Sequence, residues 1–276
     1  MKSVTIGLIN INQSGLTIDM LEVLAGLGAR GWSTQVVLVD NGSDRADVAL
    51  LEGWLHENRG RFTDTEFIDA RENLGAAAGR NRILERAEGA RTLIVDNDLE
   101  LDSLDWFEAL WSLSDAHPDA GIVGPALVFA RYPEIVQAAG IGLTRLGRVG
   151  YLHRGDRVDE VPPTVERVIA SPAACWLMDT EVQRAVGLFP EIYYPMQYWD
   201  VDFCMQLDAH GSAVLCDRSL HVRHIVNTTT RSMGDHLFAR TAVKHGIIFR
   251  ERWGARLETI DAIDDSEIYW GPVPRE

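Results

Sequence analysis

The sequence predicts an α/β protein built on a mainly parallel sheet with flanking helices. Short apolar runs alternate with helix-like stretches over the first hundred residues, beginning at Val4. The runs end in clusters of Asp, Asn and Gly, which are turn residues. Leu93, Ile94 and Val95 are apolar at successive positions, which is typical of a strand buried on both faces. Alternation of this kind implies crossover connections, and therefore parallel strands.

Composition and charge narrow the class of protein. The chain has 276 residues, 46% hydrophobic and 24% charged, as expected for a globular protein with a large core. Its formal net charge of −15 argues against nucleic-acid partners and against binding to an anionic membrane. No apolar run reaches the ~20 residues of a transmembrane segment. The first residues enter a strand without a signal-peptide pattern, so we expect a cytoplasmic location.

The predicted elements follow one another in a regular order. The first strand covers Val4 to Asn10, and Ser14 or Thr17 is the expected cap of the helix that follows. Next come a strand from Gln35 to Asp40, a helix from Ala46 to His56, a strand from Glu66 to Asp69, a helix between Asn73 and Ala87, and the strand that ends before Asp96. This order predicts one doubly covered sheet.

Two carboxylates follow the buried strand at residues 93–95. Asp96, Asn97 and Asp98 stand where the strand ends, and ligands of open α/β sheets bind at that edge. Carboxylate oxygens are hard ligands that suit a divalent cation, which can in turn hold a diphosphate. The alternative interpretation is an acidic turn that closes an ordinary strand.

Small residues open the helix between the third and fourth strands. Gly75 and Gly79 permit a close backbone approach, and the free N–H groups of the first turn favour an anion. Arg80 is the cation placed to meet a phosphate. The alternatives are tight helix-on-sheet packing, with Arg80 in an ion pair with Glu72 or Glu85. The stretch lacks the Lys-Ser/Thr of a P-loop and the glycine pattern of a dinucleotide fold.

The segment from Tyr132 to Glu166 has glycines at hairpin spacing, which predicts a β-ribbon insertion over the cleft. Its arginines either meet an acceptor or are solvated. Residues 255–276 form an acidic tail, which either lies along the surface near Tyr269 and Trp270 or is disordered. The three cysteines lack paired spacing and sit in apolar contexts, so we expect buried free thiols.

Several short motifs, taken in order, resemble family 2 glycosyltransferases with the GT-A fold, and rhamnosyltransferase-like members in particular. They are Asp40-Asn-Gly-Ser, Asn73-Leu-Gly with Arg80-Asn81, Val95-Asp-Asn-Asp98, the segment 170–178, 186–190, Trp199-Asp-Val-Asp202, His221-Val-Arg-His224 and 249–254. The resemblance covers residues 4 to 254 and implies one GT-A domain over residues 1–254. Residues 1–100 would bind the nucleotide sugar, and residues 101–254 would form a smaller acceptor-side sheet and the catalytic half.

The resemblance also implies donor-binding residues. Asp40 would contact the nucleotide base, with Asn12 lining the same pocket, and Asp96 would lie near the ribose. Asn73, Arg80 and Asn97 complete the expected donor set. Asp98 and His224 would ligate Mn²⁺ or Mg²⁺. His221 is the competing metal ligand, and because the two histidines are three positions apart on a strand, only one of them faces the donor.

Asp200 falls on the position of the family's general base, which takes a proton from the acceptor hydroxyl. Asp202 is expected to raise the pKa of Asp200 and to help bind the acceptor, or else to cap the following helix. Two residues depart from the family pattern: Trp199 stands where Glu is usual, and Gln206 where Arg is usual. Trp199 is therefore expected to stack on the acceptor.

The sequence thus predicts a metal-dependent, inverting hexosyl- or deoxyhexosyltransferase. Its donor would be a nucleotide-diphosphate sugar, with UDP or dTDP favoured by analogy and GDP also allowed. The acceptor would be a saccharide or another small molecule with a hydroxyl group. Two alternatives stay open: a nucleotidyltransferase that acts on a sugar phosphate, and a catalytically silent nucleotide-sugar-binding protein.

Overall fold

The computed structural model describes residues 2–225 and 235–269, with the side chains of residues 235–237 excepted. The strands are β1 (Ser3–Asn10), β2 (Ser33–Asp40), β3 (Asp64–Asp69), β4 (Arg91–Val95), β5 (Leu99–Glu100), β6 (Ala120–Phe129), β7 (Tyr132–Ala138), β8 (Ile141–Leu143), β9 (Val149–Tyr151), β10 (Val165–Val168), β11 (Cys175–Asp179) and β12 (Ala213–His224). The helices are α1 (Ser14–Leu24), α2 (Gly26–Ala29), α3 (Arg45–Asn58), α4 (Gly75–Leu84), α5 (Asp105–Ala116), α6 (Thr180–Val186), α7 (Trp199–His210) and α8 (Asp235–Leu257).

Within this described part of the chain, ten strands form one sheet. Eight of them follow the order β10-β12-β6-β11-β4-β1-β2-β3, while β5 pairs with β12 and β7 pairs with β6. Strands β1 to β4 are parallel wherever they pair with one another, and β12 is parallel to β6. Because β11 is antiparallel to both β4 and β6, strands β4 and β6 point the same way. The carboxyl ends of β1, β2, β4, β6 and β12 therefore meet at one edge of the sheet.

The sheet is covered on both faces, which confirms the predicted fold class. Alternate residues of β2 enter different cores: Leu38 joins the cluster that contains Leu21, whereas Val39 joins the cluster that contains Phe203. The first cluster includes side chains of α1, α3 and α5, and the second includes side chains of α4, α7 and α8. Both are hydrophobic layers with fully buried Leu, Ile and Phe, whose burial is the main driving force of folding.

Strands β8 and β9 form a separate two-stranded antiparallel ribbon, as the hairpin-like glycine spacing predicts. The chain after α8 packs against this ribbon. The N–H of Ile263 donates to Leu143 O at 3.0 Å, and Arg148 pairs with Asp265 at 3.0 Å. Helix α8 continues to Leu257, whose side chain is fully buried, so the helix extends beyond the point where the sequence places the start of the tail. Trp270 lies outside the described residues.

Local chemistry accounts for the element ends that differ from expectation. Helix α1 begins at Ser14 without a side-chain cap, and Thr17 bonds to Asn10 instead. Helix α4 is shorter than predicted and begins at Gly75, whose φ of +84° is in the left-handed region that favours glycine.

The cysteines follow expectation. All three cysteines are free and buried, and burial raises their thiol pKa values. Among the described helices, none combines the length and the apolar character that a membrane-spanning helix needs.

Candidate active site

Asp96, Asp98 and His224 converge at the carboxyl edge of the sheet. Their ligand atoms all lie within 4.8 Å of one another, and His224 Nε2 is 3.3 Å from Asp98 Oδ1. The backbone explains this meeting of residues far apart in sequence. Asp98 immediately precedes β5, and β5 pairs with the end of β12, so that Leu99 is the cross-strand partner of His224. A backbone hydrogen bond from Ile225 N to Asp98 O, at 3.0 Å, holds the two segments together.

Gln137 orients the imidazole of this cluster. Its Oε1 lies 2.7 Å from His224 Nδ1, so Nδ1 carries the proton and donates, and Nε2 faces Asp98. Gln137 is only 5% exposed. Sequence reasoning missed this residue, although a polar side chain inside the apolar run of β7 was a usable signal.

These three side chains fit a divalent cation. Two carboxylates and one imidazole form a mixed oxygen and nitrogen donor set, which suits Mn²⁺ and also accepts Mg²⁺. A ligating histidine is usually held through its other ring nitrogen, and Gln137 provides that support here. The cluster could therefore hold a metal ion with Asp98 and His224 as ligands and Asp96 beside them.

Arg80 lies against this cluster and pairs with Asp96 instead of Glu72 or Glu85. Its other amino group donates to Ala76 O at 3.2 Å, and its guanidinium carbon is 5.1 Å from the centre of the Trp199 ring. Its side chain is only 9% exposed, so the ion pair with Asp96 compensates a nearly buried charge. The sequence analysis predicted that Arg80 meets a phosphate. In the structure its guanidinium instead pairs with the carboxylate of Asp96.

Asp200 lies at the start of α7, near Arg80 and Asp96. Its Oδ1 accepts a hydrogen bond from Val201 N at 2.9 Å. Burial raises its pKa from the ordinary value to about 6; backbone hydrogen bonds and the charge of Arg80 limit that rise, and Asp96 adds to it. Asp202 is not among the causes of the rise, contrary to the sequence-based expectation. A carboxylate with a pKa near 6 is ionised at neutral pH and is a stronger base than an ordinary aspartate.

Asp202 is fully buried and faces away from Asp200. Its oxygens accept hydrogen bonds from Tyr193 Oη at 2.7 Å, from Gln206 Nε2 at 2.8 Å and from Trp253 Nε1 at 2.9 Å. Arg252 pairs with it at 3.1 Å. Asp202 therefore joins α7 to α8, and this corrects the expectation that it contacts an acceptor. Gln206, at the position where the resembling family usually has Arg, donates a hydrogen bond to this buried carboxylate. Arg252 supplies the positive charge.

Trp199 is also a core residue. It is 5% exposed, and its ring packs edge-on against Phe189 with 4.8 Å between centroids and also contacts Trp176. Arg80 lies over the same ring. The expectation that Trp199 stacks on an acceptor is corrected, because these neighbours leave almost none of its surface open.

Asp40 and Asn97 belong to a buried series of hydrogen bonds at the carboxyl edge of the sheet. Asn97 Nδ2 donates to Thr17 Oγ1 at 2.8 Å, Thr17 Oγ1 donates to Asn10 Oδ1 at 2.9 Å, and Asn10 Nδ2 donates to Asp40 Oδ2 at 2.8 Å. Asp40 also accepts hydrogen bonds from both the N–H and the hydroxyl of Ser43. Asp40 is fully buried, and both of its oxygens already have protein donors. These hydrogen bonds fix the ends of β1, β2 and β4 relative to one another.

Asn12 and Asn73 shape the loops at the same edge. Asn12, with φ of 53°, accepts a hydrogen bond from Asp44 N at 2.8 Å. Asn73 Oδ1 accepts one from Gly75 N at 2.9 Å, and Ala76 N donates to Pro195 O at 2.7 Å. The N–H groups of Gly75 and Ala76, at the first turn of α4, are therefore occupied by protein acceptors, contrary to the expectation of a free anion site there.

His221 lies away from the carboxylate cluster. It lines a cavity of about 390 Å³ together with residues of α5 and the segment around Asp102. A bulge between Asp217 and His221 shifts the register of β12, and it leaves His224 with Asp98. Of the two histidines, His224 is the one that joins the possible metal site.

Comparison with known proteins bears on the identity of this fold. Residues 24–133, less than half of the chain, match the sequence model of glycosyl transferase family 2. This match supports a family 2 glycosyltransferase. An uncharacterized protein, y4gI, of Sinorhizobium fredii (strain NBRC 101917 / NGR234) is 27% identical over 183 residues; the aligned part covers 64% of this chain and 19% of that protein.

Solved structures share the fold at low sequence identity. GalNAc-T7 in complex with UDP, GalNAc and Mn²⁺ has a TM-score of 0.70 at 13% identity, covering 93% of this chain and 50% of its own. The mannosyltransferase PcManGT from Pyrobaculum calidifontis, in complex with GDP-Man and Mn²⁺, has a TM-score of 0.61 at 15% identity, covering 96% and 66%. S. aureus TarS residues 1–349 with UDP-GlcNAc has a TM-score of 0.54 at 17% identity, covering 87% and 61%. The fold is thus of the GT-A type.

Proposed function

We propose that this family 2-like chain transfers a sugar from a nucleotide-diphosphate sugar to an acceptor hydroxyl, with the help of a divalent cation and with inversion at the anomeric carbon. One observation carries the proposal: Asp96, Asp98 and His224 converge at the edge of the sheet where ligands of α/β folds bind. The neighbours whose names include UDP, UDP-GlcNAc, GDP-Man and Mn²⁺ support such a donor and cation.

The proposed donor site uses the residues around this cluster. Asp98 and His224 would hold Mn²⁺ or Mg²⁺, which supplies positive charge to offset the charge that develops on the departing diphosphate. Asp96 borders the same space, and Arg80 fixes its position. Asn12, Asp40, Asn73 and Asn97 fix the loops that border the nucleotide pocket.

Asp200 is the proposed general base. It accepts the proton of the acceptor hydroxyl while the hydroxyl oxygen bonds to the anomeric carbon. The bond between that carbon and the diphosphate oxygen breaks, and its electron pair leaves with the diphosphate. A single displacement of this kind inverts the anomeric carbon. The raised pKa of Asp200, about 6, matches a base that works near neutral pH.

The remaining parts of the proposal follow the sequence resemblance. Residues 1–254 would act as one catalytic unit, with residues 1–100 binding the donor and residues 101–254 supplying the base and the acceptor side. The donor sugar would be a hexose or deoxyhexose, with rhamnosyl transfer as the favoured form and UDP or dTDP favoured over GDP.

A panel of UDP-, dTDP- and GDP-sugars tests the proposal. Thermal melting is measured with each sugar in Mn²⁺, in Mg²⁺ and in a chelator, followed by an assay of the released product. At a donor concentration of 100 Kd, the expected stabilisation is about 2.7 kcal/mol, or about 5–10 °C, and only with metal. The expected product is a nucleoside diphosphate. Pyrophosphate release would instead indicate a nucleotidyltransferase, binding without release would indicate a silent binding protein, and the absence of metal-dependent binding would contradict the proposal.

A further inference from the structure

Arg154 is held rigidly beside the candidate active site. It follows β9, and its guanidinium carbon lies 5.4 Å from the ring centre of Phe129 and 5.2 Å from that of Tyr151. Its Nη1 donates to Gln137 O at 3.0 Å. Two aromatic faces and one backbone carbonyl therefore fix a planar, permanently charged group in one orientation.

No carboxylate among the described side chains of residues 2–225 and 238–269 forms an ion pair with Arg154, although its own side chain is half-buried. Other poorly exposed arginines of the same part of the chain do have such partners: Arg80 pairs with Asp96, and Arg91, whose side chain is 14% exposed, pairs with Asp115. Burial also lowers the pKa of Arg154, because removing the cation from water carries a cost. In a chain of 41 acidic and 26 basic residues, a half-buried arginine that lacks a carboxylate partner among the described side chains is unusual.

The contacts of Arg154 connect it to the metal-ligand candidate His224. Gln137, which accepts from Arg154 through its main chain, holds His224 through its side chain. Phe129 is the cross-strand partner of His224 in β6 and β12. Burial of the Tyr151 hydroxyl raises its pKa, and the charge of Asp200 adds to that rise.

We propose that Arg154 binds an anionic group, a phosphate or a carboxylate, of a substrate held in this cleft. The inference rests on the proposed function and extends it to a residue that the resemblance does not assign. A guanidinium presents paired N–H donors that match two oxygens of such a group, and a charge-assisted contact in a partly desolvated site is strong. The anion has two possible sources: the diphosphate of the donor and an acid group on the acceptor.

Three variants test the proposal. Arg154→Gln removes the charge, Arg154→Lys keeps it without the planar pair of donors, and Arg167→Gln is the matched control, since Arg167 is exposed on edge strand β10. Calorimetry measures the affinity of each protein for UDP, dTDP and GDP in Mn²⁺. Titration of inorganic phosphate in Mg²⁺, with saturating nucleotide where one binds, is followed by ³¹P NMR and measures a separate anion site. Melting curves confirm that each variant is folded.

We expect Arg154→Gln to weaken one of these two affinities by about 10- to 100-fold, Arg154→Lys to retain part of it, and Arg167→Gln to match the wild type. Loss of nucleotide affinity would assign the anion to the donor diphosphate. Loss of phosphate affinity alone would assign it to the acceptor.

Both affinities within twofold of the wild type, in a folded Arg154→Gln protein, would overturn the role of Arg154 and leave the proposed function standing. A wild-type protein that binds none of UDP, dTDP and GDP with Mn²⁺ would overturn the proposed function instead, and phosphate binding would then decide the role of Arg154 separately. A wild-type protein that binds neither nucleotides nor phosphate would overturn both.

Discussion

The chain has two Asp-x-Asp pairs with the same spacing, Asp96 with Asp98 and Asp200 with Asp202. The backbone directs the side chains of the first pair to one place and those of the second pair to two different places. The first pair lies in the turn between β4 and β5, where both carboxylates reach His224 while Asn97 turns away to Thr17. The second pair lies in the first turn of α7. Residues two apart on a helix point about 200° apart, so Asp200 borders the site and Asp202 enters the core.

The difference shows why a motif does not by itself assign a role. In a turn after a strand, residues i and i+2 can act together on one ligand. On a helix, the same spacing points the two side chains in nearly opposite directions, so that only Asp200 is free for the proposed chemical role. Asp202 has four donors around it and is fully buried, whereas Asp200 has one hydrogen bond from Val201 N and a pKa raised by burial.

The largest effect is expected for Asp200→Asn, which should slow sugar transfer. The amide keeps the shape of the side chain but cannot take a proton, and loss of a general base costs about 10²–10⁴ in rate. Release of nucleoside diphosphate from the donor in the presence of acceptor should fall by that factor, while the affinity for Mn²⁺ and nucleotide stays near that of the wild type. Unchanged turnover would remove Asp200 from the role of base.

Asp202→Asn should instead act on stability. Three partners of Asp202 donate hydrogen bonds to it and Arg252 forms an ion pair with it, so an amide NH₂ in their midst leaves buried donors mismatched and leaves Arg252 without its carboxylate. We expect a loss of about 3 kcal/mol in the free energy of unfolding, measured by denaturant titration.

Asp200→Asn is the matched control, and its effect has the opposite sign. The pKa of Asp200 is higher in the folded state, so its ionisation costs stability as pH rises from the ordinary aspartate range through about 6. Removing the charge should stabilise the fold at pH 7 by up to about 3 kcal/mol, with the gain shrinking towards pH 4. Equal losses in both variants would contradict the division between the two aspartates.

A smaller effect concerns the support of the first pair. Gln137→Leu removes the acceptor of the His224 Nδ1–H and should weaken Mn²⁺ affinity by about 10- to 100-fold, as expected for the loss of a group that orients a ligating histidine. Gln183→Leu, at another buried glutamine that bonds to Gly187 O, is the matched control. Equal Mn²⁺ affinities in the two variants, measured by calorimetry, would show that Gln137 does not orient His224.

The pH profile gives the smallest effect. Because the base must be ionised, kcat/KM should rise about tenfold per pH unit below 6 and level off above it. Arg80 lowers the pKa of Asp200, so Arg80→Gln should move the acidic limb to higher pH. A limb that stays in place would show that Arg80 does not act on the group that titrates.

The sequence was sufficient for the fold because its signals are local. Apolar runs such as residues 93–95 and the turn residues after them depend on neighbours along the chain, and the carboxyl edge then follows from strand direction. Asp96 and Asp98 come directly after such a run, so their place at the edge followed from the pattern. His224 was predicted as a metal ligand through the resemblance. Only the bulge in β12 shows that His224, and not His221, lies beside Asp98.

The remaining site residues depend on contacts that sequence spacing does not encode. Trp199 carried the signal of an unusual residue in a motif, but its burial depends on Phe189 and Trp176, which belong to other elements. Gln137 lies on β7, where its only signal is a polar side chain among apolar neighbours, and Arg154 lies in the loop after β9, where no motif marks it. Only the folded structure connects the two residues to His224, through the main chain and the side chain of Gln137.

The most direct test of the account compares two histidines three residues apart. UDP, dTDP and GDP are titrated, with and without Mn²⁺, into the wild type, His224→Ala and His221→Ala, and binding is measured by calorimetry. Since His224 lies 3.3 Å from Asp98 and His221 lines a different cavity, we predict that only His224→Ala loses the Mn²⁺-dependent part of the nucleotide affinity. Retention of that dependence in His224→Ala, or its loss in His221→Ala, would contradict the proposed metal site.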